Sequence, residues 1–305
     1  MGIINPNVYL SSTLIKNIKL RGLIPTNQQT YLDDDFIALI NTELFGTIVP
    51  MIMAYQEEFY VTSIDIPTVA GVSTYAIPDD AAGMKIRAVS SVTPSGYTYS
   101  LPRYTLDQLA GVDHSAHGQA GFYMQGNNMV VYPTPSDTST TLRVFYYKRP
   151  NRVVKPTQAA QVLLVDSITK IITVTNAPSG WIFNTDVHSV AGTPMFDDTS
   201  ATLSVIANSG TDLEVNSVAG VKVGDYMCLK GESPFAHIPT EGYPLLEQAV
   251  VVKVLEGLGD REGMQAAQVK LTELEKKFAY YVSPRVDGNP KKITNRNSIF
   301  KFTRR

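Results

Sequence analysis

Residues 238–282 read IPTEGYPLLEQAVVVKVLEGLGDREGMQAAQVKLTELEKKFAYYV, and their periodicity decides what kind of protein this is. Pro244 suits a first helical turn, where a missing N–H costs nothing. Leu245, Leu246, Ala249, Val252 and Leu255 then recur at helical spacing. The run GLGD, Gly257 to Asp260, breaks the pattern, and a second helix is predicted from about Arg261 to Tyr281. Two helices joined by so short a break must fold back on each other as an antiparallel hairpin.

Working outward, the amino-terminal part supplies more helix. In SSTLIKNIKLRG, Ser12 or Thr13 is a candidate cap, Leu14, Ile15, Ile18 and Leu20 lie near helical spacing, and Gly22 stands where a left-handed terminating residue belongs. After a short loop, Asp33, Asp34 and Asp35 gather where the helix dipole favours negative charge. Phe36, Ile37, Ile40, Leu44, Ile48, Ile52 and Tyr55 continue a stripe from there. Pro50 predicts a bend, because its ring removes one donor and crowds the preceding turn. With the hairpin, these segments predict a four-helix assembly.

Between the helices the period falls towards two. From Phe59 onward FYVTSIDIPTVAGVSTYAIPDDA alternates and breaks at Pro67, Gly71 and Pro78, as short strands do. Gly126 to Asn128 reads as a hairpin turn between Phe122–Met124 and Met129–Tyr132, with a third strand at Leu142–Tyr147. From about Val154 the composition shifts to Val, Ile, Thr, Ser, Asp and Gly, with strand candidates at 162–165, 168–175, 202–207, 211–215 and 225–229. The expected fold is therefore α+β: a helical bundle with antiparallel β segments (residues 1–153 and 235–283), an inserted small all-β domain (154–234) and an extended arm (284–305). A chain of 305 residues, 44% of them apolar, accommodates about two domains.

Charge is distributed unevenly. The whole chain carries a formal −2, yet from Pro284 onward seven bases face the single acid Asp287, a local +6 that leaves −8 on the rest. Arg285, Lys291, Lys292, Arg296, Lys301, Arg304 and Arg305 are interleaved with Ile299, Phe300 and Phe302. A solubilising tether would not need those apolar side chains, so the segment reads as an arm that docks on a partner.

Other chemistry is sparse. The single cysteine, Cys228, excludes an internal disulfide or a cysteine-based zinc cluster and reads as a small buried hydrophobe on a strand. His114 and His117 lie in a polar loop with Asp113 and lack a further ligand; His188 and His237 are isolated. Asp79 with Asp80, and Asp197 with Asp198, have the context of turns. No phosphate-binding loop, dinucleotide fingerprint, metalloprotease helix or nucleophile elbow is present, so no enzyme and no cofactor are expected. Trp181 is expected to pack over a turn. The run FYYKRPNR mixes aromatics and bases as nucleic-acid surfaces do, but alternation sends Phe145 and Tyr147 to one side and Tyr146 and Lys148 to the other, which makes one face core. No apolar run of about 20 residues is read, so no membrane span is expected, nor a secretory leader or a myristoylation site at Gly2.

The order LDDDFIALINTELFGTIVPMIMAYQEEFYV, IPTVAGVSTYAIP, FYMQGNNMVVYPTP, LRVFYYKRPNRVV and IPTEGYPLLEQAVVVKVLEGLGD resembles the head-to-tail adaptor (connector or ring) proteins of tailed bacteriophages, over roughly residues 10–155 and 235–282. The resemblance implies a structural virion protein of the portal vertex and neck: a ring of twelve subunits beneath the portal protein, meeting downstream tail or second-ring proteins, with genomic DNA passing through its channel without sequence-specific contact. It further implies assembly in the host cytoplasm and a part in DNA ejection. The ten tail residues from Arg285 to Arg305 named above then become candidate contacts with the portal or a neighbouring subunit. Two other readings stay open: a non-enzymatic nucleic-acid-binding protein using its basic arm, and a polysaccharide-acting tail protein, for which no carboxylate cluster is visible.

Overall fold

The structure, a computed structural model, describes residues 9–25, 30–105, 120–193 and 202–282. Among the described residues the α-helices are α1 (Ser11–Arg21), α2 (Asp33–Glu43), α3 (Val49–Tyr55), α4 (Tyr243–Leu258) and α5 (Arg261–Tyr281). The hairpin between α4 and α5 forms where the sequence places it. Gly259 takes a left-handed φ of 76°, and the Asp260 carboxylate accepts the Gly263 N–H at 2.9 Å, ending one helix and capping the next within two residues.

The apolar stripe of α4 is only part of its buried surface. Val250, Val251 and Val254 are buried too, and so are Glu247 and Gln248. The reason is its position: α1, α2 and α5 each pack against α4. Helix α5 packs chiefly on α4 and buries only Ala267, Leu271 and Phe278, so the helices form a layer centred on α4 rather than four equal members of a bundle.

Two helix ends differ from expectation. Helix α1 starts at Ser11 with Leu10, which has no polar side chain, at its cap position, so the expected caps Ser12 and Thr13 lie inside the helix; the Ser11 hydroxyl donates to the Val154 carbonyl at 2.7 Å. At its other end Gly22 stays right-handed and Leu23, at φ 51°, makes the left-handed turn. Helix α2 has the acidic start, Asp35 accepting the Leu32 N–H at 2.7 Å. Between α2 and α3 the chain passes through one π turn, Leu44–Ile48, immediately before Pro50. The Val49 N–H reaches back to the Leu44 carbonyl, and this wider turn relieves the crowding that the Pro50 ring would impose on a regular helix. The whole element Asp33–Tyr55, 23 residues, is long and apolar enough to cross a bilayer, contrary to the sequence expectation. Half of its most apolar window is buried, with Phe36, Ile40, Leu44, Ile48 and Ile52 inside the helical core.

The first β region is two antiparallel sheets face to face. One runs Val61–Pro67 (β1), Thr141–Lys148 (β7), Ala81–Val92 (β3) and Thr98–Leu101 (β4) in that spatial order; the other runs Thr74–Ala76 (β2), Asn128–Tyr132 (β6) and Gly121–Gln125 (β5). The predicted hairpin β5–β6 turns at Gly126, φ 58°. Its expected third strand, β7, belongs to the other sheet and lies between β1 and β3. Val89, Leu101, Leu142 and Val144 meet Tyr75, Phe122, Met129 and Val131 in the core between them. Tyr146 joins that side, whereas Tyr147 is buried on the opposite face, its hydroxyl bonded to Glu57.

Short strands Arg152–Val153 (β8) and Glu232–Ser233 (β15) bracket a closed antiparallel barrel. Its order is Ile171–Val174 (β10), Asp212–Val215 (β13), Thr202–Asn208 (β12), Asp186–Val190 (β11), Tyr226–Leu229 (β14) and Ala160–Asp166 (β9). Closure leaves no edge and gives one apolar interior, lined by Val162, Ile172, Val187, Leu203, Leu213 and Met227, with Trp181 rising from its turn into it. The expected strand 168–175 begins later, since Asp166 accepts the Ile168 N–H at 2.9 Å and opens a turn that leaves Ile168 exposed. Strand β11 was not read from the sequence: Val187 to Val190 are all buried, so it lacks the alternation of a half-exposed strand.

Candidate interaction surfaces

The barrel meets the helices through a buried polar junction. Strands β8 and β15 pair in parallel, with the Arg152 N–H donating to Gly231 and the Val154 N–H to Ser233. Val153 lies between these contacts and turns its own N–H and carbonyl the other way, towards α2. There the Asn41 side chain meets both, its Oδ1 accepting the Val153 N–H at 2.8 Å and its Nδ2 donating to the Val153 carbonyl at 2.8 Å. One amide side chain thus replaces a neighbouring strand. Ser11 adds its backbone N–H to the Pro234 carbonyl at 2.8 Å. The Tyr60 hydroxyl donates to the His237 carbonyl and the Tyr243 hydroxyl to the Ala236 carbonyl, at 3.0 and 2.6 Å.

The residues with potential chemistry are spent on this framework. His188 is buried on β11 with Nε2 2.7 Å from the Glu232 carbonyl, and burial, followed by the charges of Lys148 and Lys230, holds its pKa down. His237 packs its ring against Phe235. Cys228 is fully buried, and desolvation pushes its thiol well up, away from reactivity. Among the described residues no three His, Cys, Asp or Glu side chains converge as metal ligands. His114, His117, Asp113, Asp197 and Asp198 lie outside the described residues.

The ten predicted contact residues, Arg285, Lys291, Lys292, Arg296, Ile299, Phe300, Lys301, Phe302, Arg304 and Arg305, also lie outside the described residues. What is described is the point from which that segment leaves: α5 ends with Tyr280 and Tyr281 exposed, 80% and 66%, while Val282 is anchored in the helical core.

A second surface joins all three parts of the molecule. A cleft of about 1130 Å³ lies between the π turn with α3, the four-stranded sheet and the barrel. Lys148, Arg149 and Arg152 reach it as the chain leaves β7, and Lys230 comes from the barrel side. Sequence reading saw the first three in FYYKRPNR and read the run as a strand with one core face. The structure divides it: Tyr146 and Tyr147 are buried while Arg149 and Arg152 are exposed. Nothing local signalled that Lys230 would join them.

Among the described residues, His188, His237 and Cys228 serve the framework, and the cleft presents apolar walls and charge. The family model described as SU10 adaptor protein matches residues 14–181, more than half of the chain. The chain belongs to this family of phage head-to-tail adaptors, as its resemblance implied, and is a structural component of the virion at the head–tail junction. The match crosses from the helices and sheets into the first barrel hairpin and stops before α4, short of the helical pair in which the sequence likeness was also seen. No curated protein matches the chain.

Proposed function

We propose that copies of this chain form a ring of twelve beneath the portal, prolong the DNA channel and join the portal to downstream tail or second-ring proteins. Membership of the adaptor family carries the reading. A closed ring needs a heterologous contact whose rotation closes, and exposed Val269 on α5 together with exposed Leu20 in the last turn of α1 and Leu23 just after it provides apolar surface on more than one side of the helical layer. Outside the arm the chain is net acidic, which suits a conduit: walls that do not hold phosphates let DNA slide.

Residues 1–153 with 235–283 form the adaptor core in this reading, and 154–234 are an inserted unit whose two ends the β8–β15 bridge keeps together. The arm, 284–305, lies on the portal or on a neighbouring subunit, with Ile299, Phe300 and Phe302 in apolar pockets and the bases on acidic rims. Its charges steer assembly more than they add affinity. Removal of residues 285–305 is expected to yield heads that package DNA and then leak. Stable, DNA-retaining heads from that mutant dispose of the arm's role, and electron micrographs of the purified protein alone and with its portal protein test the ring.

A further inference from the structure

The cleft between the helices, sheet and barrel combines unlike walls. Phe45, Val49 and Met53 form an apolar side; Arg149, Arg152 and Lys230, with Lys148, form a cationic one that outnumbers the two acids of the lining, Asp79 and Asp80. Arg149 and Lys230 make no ion pair with a described residue. The volume, about 1130 Å³, exceeds the roughly 300–1,000 Å³ of a small-molecule site.

We propose that this cleft docks an extended segment of a neighbouring polypeptide bearing carboxylates beside a bulky apolar side chain. Phosphates would use the cations but leave the apolar wall idle, whereas an acidic, apolar peptide uses both. The basic arm of another copy is repelled, and the occupant assigned to the cleft is a different protein of the particle. The proposal rests on the adaptor reading for the presence of that neighbour.

The test uses assembled particles in which a photoreactive benzophenone side chain replaces Met53. Irradiation is expected to join it to an acidic segment of another virion polypeptide, identified by mass spectrometry. The double substitution Arg149→Glu and Lys230→Glu should lower that yield at least tenfold, while Lys270→Glu on exposed α5 leaves it unchanged. Far-UV circular dichroism of each purified variant shows that it folds. Crosslinks only to DNA or to the same chain, no crosslink at all, or a yield unmoved by charge reversal overturn the docking site. If the chain is absent from particles, the adaptor reading falls first and takes this one with it.

Discussion

Substituting Asn41 with alanine should uncouple the barrel from the helices. Asn41 is nearly buried and Val153 wholly so, and the change removes both bonds between them as well as the bond from Nδ2 to the Ile37 carbonyl at 2.9 Å. The Ile37 carbonyl retains its helical environment, so the loss falls on two buried peptide groups of Val153. Each unsatisfied group costs about 1–3 kcal/mol, giving a loss of roughly 2–6 kcal/mol, nearer 2 if a water enters the vacated space. Because Trp181 is the sole tryptophan and lies in the barrel core, its fluorescence reports the barrel, while circular dichroism at 222 nm reports mainly the helices. In guanidinium chloride the two transitions of the parent should coincide, and in Asn41→Ala the helical one should move to lower denaturant ahead of the other. Asn41→Asp keeps the acceptor for the Val153 N–H but sets a carboxylate against two carbonyls; its deficit should shrink in acid as that carboxyl protonates. A loss below about 0.5 kcal/mol for alanine, within the range of ordinary surface substitutions, or probes that stay coincident, would refute the strand-mimic role.

Three further perturbations follow from the geometry. Burial and then the Glu57 carboxylate push the Tyr147 hydroxyl up to about 12, while that hydroxyl, foremost, holds Glu57 below its ordinary value. The Tyr147 contribution is therefore complete below its unfolded value near 10 and is lost as pH climbs through about 12; that of Glu57 is present above its unfolded value near 4.5 and is lost as pH falls through the depressed folded one. Tyr147→Phe should lower stability by about 1 kcal/mol at neutral pH and flatten both limbs of the stability–pH curve; an unchanged curve counts against the pair. Arg21→Ala strips the 2.7 Å partner from the nearly buried Glu247, which keeps the Asn17 amide, and should cost about 2–3 kcal/mol, the Arg being partly exposed. Lys19→Ala, opposite exposed Asp33, should cost under about 1 kcal/mol, so thermal or chemical denaturation must rank the two in that order. Gly259→Ala meets no atom within 4 Å, so its cost should be the left-handed strain alone, about 1 kcal/mol, and a much larger loss would mean that the α4–α5 turn is held by something other than its backbone.

Helix positions, the β5–β6 turn and the α4–α5 break were legible in the sequence because each depends on residues a few positions apart. Leu245 with Ala249, Gly126 with Asn128, and Gly259 with Asp260 act through spacings of one turn or less, and backbone sterics read them directly. The family resemblance was legible for the same reason, being carried by ordered local patterns. Of the candidate site, the sequence showed charge: the cationic residues beyond Pro284 and the bases of FYYKRPNR. Long-range pairing decided the rest. That β7 lies between β1 and β3, that six short strands close on themselves, that α4 buries more than its apolar stripe, and that Asn41 completes the pairing of Val153 are choices among partners far apart along the chain. No local spacing distinguishes them, because the free energy that selects them is released only when distant surfaces meet and bury apolar area together. The cleft has the same origin: its apolar wall, its arginines and Lys230 come from three separate stretches, and only the packing of the barrel against sheet and helices makes one surface of them.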